Sequence, residues 1–185
     1  MDYQSMPLDK LKEDLTQDTL KGIPFLIAGS IYWFVMGILH FFIKDTQTLA
    51  LIYLIGSGSI FPAAMLISKL IGANLVSKNP LGTLSGIIGG VQGFYILIWI
   101  VIYIELPNLL PLTIGILVGS HFLPYAWIYN SKAYQIFTML TVLISFILGY
   151  VFKALAFTIL PFALALIYLT TIIMLKGEYP NKKFS

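Results

Sequence analysis

The sequence predicts an all-α membrane protein, a polytopic bundle of six transmembrane helices. Hydrophobic residues make up 58 % of the 185-residue chain and charged residues 10 %, far below the roughly 25 % charged of soluble domains. The apolar residues fall into six runs, five of 21 to 23 residues and one of 17. A helix that crosses a bilayer needs about 17–25 residues. The runs are Ile23–Ile43, Leu49–Ile71, Leu84–Ile104, Leu109–Tyr129, Ile136–Phe152 and Ala154–Leu175.

Residues 1–22, which precede the first run, predict an amphipathic helix at the cytosolic surface. Leu8, Leu11 and Leu15 recur on one helical face, and Pro7 suits the first turn. A helix of this kind lies in the membrane interface and would steady the first span. A docking site for a cytosolic partner is the alternative interpretation.

Lysines predict the orientation, because the cytoplasmic loops of membrane proteins collect positive charge. With the N-terminus inside, nine lysines fall on the inner side: Lys10, Lys12, Lys21, Lys69, Lys78, Lys132, Lys176, Lys182 and Lys183. Two fall on the outer side, Lys44 and Lys153. We therefore expect an inner (plasma) membrane protein with both termini cytoplasmic, residues 176–185 forming a cytosolic tail.

Small and polar residues inside the spans predict where helices meet, because lipid supplies no hydrophobic force between them. In the fifth span one face carries Tyr134, Thr138, Thr141, Ser145, Gly149 and Lys153. Glycines form ladders at Gly82, Gly86 and Gly90 in the third span and at Gly115 and Gly119 in the fourth. We expect these glycines to pack against other helices of the same chain, with dimerisation as the weaker interpretation.

Prolines inside three spans predict kinks, since each removes a backbone donor and frees the carbonyl four residues earlier. They are Pro62, Pro124 and Pro161. Pro62 follows the sequence Gly56-Ser57-Gly58-Ser59, so the second span is expected to be bent or partly unwound there. A packing kink and a functional hinge are both open interpretations.

His121 is the candidate centre of an internal polar site. An ionisable residue within a span is costly and usually faces a cavity, and His121 lies mid-span beside Pro124. We expect a ligand cavity lined by His121, Tyr125, Gln92, Trp99, Tyr95 and Ser145. A neutral histidine bonded to a freed backbone carbonyl is the alternative.

Aromatic residues near the span ends predict belts at the membrane–water interface, where rings with a polar tip are common. These residues are Tyr103, Trp127, Tyr129 and Tyr134. Their position at the ends of apolar runs is typical of such belts.

The residues predict no metal, no cofactor and no catalytic side chain. Cysteine is absent, and His40 and His121 differ in depth by about 13 Å at 1.5 Å per residue, too far to share a metal. No motif of a protease or hydrolase occurs. The net charge of +3 is spread along the inner side and offers no surface for nucleic acid.

The segment Gly119-Ser120-His121-Phe122-Leu123-Pro124-Tyr125-Ala126-Trp127-Ile128-Tyr129 resembles part of a family of small bacterial multi-pass membrane proteins of unknown function. The resemblance covers most of the chain and implies a bacterial inner membrane, with no assigned activity. In size, span number and orientation the chain is also similar to the substrate-binding subunits of energy-coupling-factor vitamin transporters. It departs from them in the first span, which lacks the alanine-rich face that those subunits present to their partner.

Three classes of function are compatible with these features. Kinked spans, polar seams and inward aromatic residues favour binding or transport of a small, weakly charged molecule through an intramembrane cavity. Glycine ladders and the scarcity of charge favour a non-catalytic accessory protein, associated with a membrane-protein partner or a second copy. An intramembrane enzyme is the disfavoured third class.

Overall fold

A computed structural model describes residues 3–179, and all regular structure in this part of the chain is helical. Its α-helices are α1 (Leu8–Thr19), α2 (Ile23–Phe42), α3 (Thr46–Ser57), α4 (Ile60–Ile71), α5 (Pro80–Gly90), α6 (Gln92–Glu105), α7 (Leu110–His121), α8 (Leu123–Ile128), α9 (Lys132–Phe146) and α10 (Leu160–Gly177). Short 3₁₀ turns lie at Leu20–Gly22, Pro107–Leu109 and Lys153–Leu155, and a π-helical segment at Ile147–Val151. The all-α prediction is confirmed. The part of the predicted tail from residue 180 onward lies outside the described residues.

The helices have the length and composition of membrane spans. Within residues 3–179, five helical stretches are long and apolar enough to cross a bilayer. The pair α3 and α4 makes a sixth when it is counted as one span, bent by 44° at its break. Pro62 stands in the first turn of α4, directly after this break. The prediction of a bent second span is therefore confirmed.

Polar residues between the apolar runs decide where several helices begin. The Asp45 carboxylate accepts the Thr48 amide at 2.7 Å and caps α3. The Asn79 side chain accepts the Leu81 amide at 3.0 Å and caps α5. Such caps satisfy backbone donors that the first helical turn leaves unpaired.

The last two spans differ from the predicted bounds. The fifth starts at Lys132, four residues before the predicted Ile136, because Ser131 caps it by accepting the Tyr134 amide. The sixth starts at Leu160 and not at Ala154. Pro161 consequently lies in a first turn, where the missing amide costs nothing. The predicted kink at Pro161 is wrong.

The spans form a ring in which chain neighbours are only part of the packing. α2 packs most extensively against α10, and α9 packs most extensively against α7. α10 also packs against α9, and α7 against α6. α3 closes the ring between α6 and α2, and α4 lies against α2. α1, α5 and α8 meet at one end of the bundle. We call it the inner end, after the orientation that the lysines predict.

The seam between α7 and α9 is the one predicted from the fifth span. Thr138, Thr141 and Ser145 are buried, the last with no exposed surface. Ser145 lies directly against Gly115, and Thr141 lies directly against Gly119. Lys153, the outermost member of the predicted face, is exposed and lies outside the seam.

The third span, α5 and α6, packs far less than the others. Of the residues in its most apolar stretch 6 % are buried, against 56 % in the fourth span. Gly82 contacts Ser77 and Leu15, but a Cβ built at Gly86 or Gly90 would meet no described atom within 4 Å. The prediction that these two glycines pack within the chain is wrong, because this face of the helix points away from the bundle.

Candidate functional site

His121 ends α7 and is bound on both sides of its ring. Its Nδ1 lies 2.5 Å from the Val118 carbonyl oxygen, and the Gln92 side-chain amide reaches its Nε2. Because a carbonyl oxygen can only accept, Nδ1 carries the proton and Nε2 accepts from Gln92. As predicted, His121 and Gln92 are neighbours across the third and fourth spans.

Tyr125 stands beside His121 and joins a different pair of helices. Its hydroxyl donates to the Ser85 carbonyl oxygen at 2.8 Å, which ties α8 to α5. The two rings are 6.0 Å apart between centroids and nearly perpendicular. α7 and α8 are separated at Phe122, and Pro124 stands in the first turn of α8. The kink at Pro124 stays a prediction.

The other three predicted cavity residues are Tyr95, Trp99 and Ser145. The Tyr95 and Trp99 rings pack against each other on α6, 6.2 Å apart between centroids. Ser145 lies opposite Gly115, about 9 Å along α7 from His121 at 1.5 Å per residue. Among the described residues, Trp99 Nε1 and Ser145 Oγ have no hydrogen-bond partner. The structure therefore brings Gln92, His121 and Tyr125 together and places Ser145 apart from them, in the seam between α7 and α9.

The geometry makes His121 a link between spans. It is 7 % exposed, its two nitrogens have protein partners, and the Phe122 ring packs against it with centroids 4.2 Å apart. No ring nitrogen is left to bind a ligand. The freed-carbonyl alternative is close to what is observed, although the carbonyl is that of Val118 and not that of Ser120.

A cavity of about 140 Å³ lies elsewhere, between α2 and the start of α4. It is lined by Ala28, Ile31, Tyr32, Val35, Met36, Ser59, Ile60 and Ala63. The hydroxyls in this wall are already used, since Tyr32 donates to the Tyr53 carbonyl oxygen and Ser59 to that of Gly56. The cavity therefore presents an apolar surface next to the break in the second span.

An ion pair at the inner end was missed by the sequence analysis, which counted Lys21 only as a charge. Lys21 Nζ lies 2.9 Å from Glu178 Oε2, and the Lys21 side chain is 5 % exposed. The other carboxylate oxygen of Glu178 accepts the Ala133 amide at 2.9 Å. The pair joins the start of the first span, the start of α9 and the end of α10.

Hydrogen bonding keeps Glu178 ionised. Partial burial would raise the pKa of this carboxyl, but hydrogen bonds from Ser131, Lys21 and the Ala133 amide outweigh burial and hold the pKa below its ordinary value. At neutral pH the carboxylate is therefore charged and available to Lys21.

Two tyrosines predicted to form an interface belt are buried at the same end. Tyr129 and Tyr134 are 5 % and 1 % exposed. Tyr134 donates to the Lys21 carbonyl oxygen at 2.5 Å, and Tyr129 shares a hydrogen bond of 3.1 Å with Thr19. The belt prediction is wrong for both, because α1 folds over them. Trp127 is exposed, with the Lys12 ammonium 3.8 Å above its ring.

Comparison with known families accounts for almost all of the described chain. Residues 8–178 match a protein family described as a family of unknown function, DUF7010. The chain belongs to the DUF7010 family. The match begins with the first residue of α1 and ends at Glu178, so the unit common to DUF7010 includes α1 and both partners of the ion pair. The predicted membership of an uncharacterised family is confirmed.

No curated protein and no solved structure matches the chain.

Proposed function

We propose that this DUF7010 protein is a non-catalytic integral membrane protein that acts through association, and that its third span binds a second copy of the chain. One observation supports the proposal. Gly86, Gly90 and Gly93 lie on one exposed face of α5 and α6 with no described atom near an added Cβ.

The physical reason is that exposed glycines carry a cost with no gain inside the chain. Glycine in a helix interior is about 1 kcal/mol less favourable than alanine. Glycines four residues apart let two helices approach closely in a bilayer, where packing drives association. A two-fold arrangement brings the same stripe of both copies together, so one face serves both.

Disulfide crosslinking in native membranes tests this proposal, because the chain contains no cysteine. Gly90→Cys should give a crosslinked dimer on oxidation, whereas Thr170→Cys, on an exposed position of α10, should stay monomeric. Adding Gly90→Leu to a Gly86→Cys variant should abolish the crosslink. Monomers in every case, or equal crosslinking at Gly90 and Thr170, would contradict the proposal.

The proposed location is the bacterial inner membrane, with both termini in the cytoplasm. The contact between Lys21 and Glu178 puts the two ends of the described chain at one end of the bundle. The lysine distribution supports the cytoplasm as the compartment at that end. In intact cells, Asn108→Cys should react with an impermeant maleimide and Ser185→Cys should not; the reverse pattern would overturn the orientation.

Binding or transport of a small molecule is the second candidate, supported by the cavity between α2 and α4. The helix break beside the cavity offers a place where the wall can change shape. This function ranks second because the predicted centre, His121, has both nitrogens engaged. Mass spectrometry of the gently purified protein should find an apolar molecule that Ala63→Met, which fills the cavity, no longer retains. Equal retention by both proteins, or none by either, would reject this candidate.

A further inference from the structure

The N-terminal helix α1 lies across the inner end of the bundle and is held there by polar contacts. Asn74, in the connection between α4 and α5, donates its backbone amide to the Asp18 carbonyl oxygen at 2.8 Å. In the same connection the Asn79 side chain donates to the Leu11 carbonyl oxygen at 2.8 Å and to the Asp14 carboxylate at 2.9 Å. Asn79 has no exposed surface, so these bonds are shielded from water.

Two further bonds attach α1 to the rest of the inner end. Thr19 bonds the Tyr129 hydroxyl, and the Tyr179 hydroxyl donates to the Thr16 carbonyl oxygen at 3.1 Å. Together with the contacts to Asn74 and Asn79, α1 touches every connection that reaches this end within the described chain. It is a strap over the bundle, fixed at points far apart in sequence.

The strap buries far fewer residues than the long helices α2, α9 and α10. Leu15 and Thr19 are the buried residues of α1, whereas α2 buries ten residues along its length. Burial of apolar area is the main source of stability for packed elements, and elements with little of it open at lower free energy than the core. α1 should therefore leave the bundle at a smaller cost than α2, α9 or α10, each of which buries six residues or more.

The backbone between α1 and α2 is a hinge held in an unusual conformation. Leu20, Lys21 and Gly22 have φ values of 49°, 51° and 72°. The left-handed region is costly for residues with a Cβ, and such residues persist there when surrounding contacts hold them. At Lys21, the middle residue of the three, the ion pair to Glu178 holds the side chain and the Tyr134 hydroxyl holds the carbonyl oxygen.

We propose that α1 opens as a unit about residues 20–22 while the bundle stays folded, and that the Lys21–Glu178 ion pair is the clasp that holds it closed. Loss of the pair frees Lys21 from its left-handed conformation, and the direction of α1 changes with it. Opening uncovers the inner ends of α5 and α8, where Leu15 now packs beside Gly82. Glu178, the last residue of the family match, thus controls the position of α1, the first helix of that match.

Hydrogen–deuterium exchange of the full chain in nanodiscs tests the clasp. In Glu178→Gln and Lys21→Met the amides of α1 should exchange at least ten times faster than in the unchanged protein. The amides of α9 and α10 should stay within a factor of two. Glu13→Gln is the matched control, because Glu13 pairs with Lys10 on the exposed face of α1, and it should leave α1 exchange unchanged.

Two outcomes would overturn the proposal: α1 exchange that is no faster in either variant than in the unchanged protein, or equal acceleration in all helices. If a variant does not fold, hydrogen–deuterium exchange of the unchanged protein, measured at increasing denaturant concentrations, tests the proposal instead. The α1 amides should then exchange through an opening at least a hundred times more populated than that of α9. A single opening shared by α1 and α9 would reject an independent strap.

Discussion

The fourth and third spans carry the same glycine pattern and use it in opposite ways. Gly115 and Gly119 in α7 are covered by Ser145 and Thr141 of α9. Gly86 and Gly90 in α5 have the same spacing, yet no described atom lies within 4 Å of a Cβ built on them. Spacing of four residues thus indicates a flat helix face, and it says nothing about what covers that face.

The difference has a cause in how each span is attached. α9 runs antiparallel to α7 and presents small polar side chains at the matching interval, so the two stripes meet along their length. The third span is attached through another face, where Gln92 reaches His121 and Ser85 accepts from Tyr125. Gly86 and Gly90 are turned away from these bonds. The third span is thus attached to the fourth by hydrogen bonds at a few points, whereas α7 and α9 pack along their length.

The largest effect is expected from Gly119→Leu, which should destabilise the protein by about 3 kcal/mol or more. A Cβ at this position would lie 2.8 Å from the Thr141 Cβ, and neither helix can shift without opening the seam. Thermal unfolding in detergent measures the change. Gly90→Leu is the matched control and should leave the unfolding temperature of the monomer nearly unchanged; equal losses would refute the contrast between the ladders.

Thr141→Leu tests the other wall of the filled seam. Thr141 is 1 % exposed, and the larger side chain should overfill the space against Gly119 and cost about 1–3 kcal/mol. Leu143→Ala, at a position that is 49 % exposed, should cost clearly less. The same unfolding assay compares them, and the seam assignment fails if the two changes are equally harmful.

Gln92→Leu tests the attachment of the third span. The variant leaves the buried His121 Nε2 without its donor, which should cost about 1–2 kcal/mol. The double variant Gln92→Leu/His121→Phe removes both polar partners and should recover part of that loss. Unfolding temperatures of the two single variants and the double variant give the coupling; strictly additive losses would mean that the contact contributes no stability.

The smallest effect is expected from Gly86→Ala, and its sign is opposite. A methyl group on the exposed face meets no described atom, while alanine is the better helix former by up to about 1 kcal/mol. The monomer in dilute detergent should therefore unfold at a slightly higher temperature. A marked loss of stability would show that this face is packed within the chain after all.

Part of the candidate site could be predicted because neighbouring spans in sequence were also neighbours in space. Gln92 and His121 lie on consecutive antiparallel spans, so their depths sufficed to bring them together. Ser145 was assigned to the same site, but it lies opposite Gly115, about 9 Å from His121 along α7. The sequence gives the helix face and the approximate depth of a residue, but it does not give how one helix is rotated against its neighbour. Pro161 was assigned to a kink because the apolar run continued before Leu160, although the helix did not.

Patterns in the sequence were enough to predict the membrane-spanning helices, the bend at Pro62 and the polar seam of the fifth span. These follow from local properties, namely the length of an apolar run, backbone donors lost at proline and the periodicity of a helix face. The packing of the helices was needed to show which glycine ladder is filled and that Lys21 contacts Glu178, 157 positions away in the chain. Such contacts depend on how helices are placed in space, and periodicity along one helix carries no information about its neighbour.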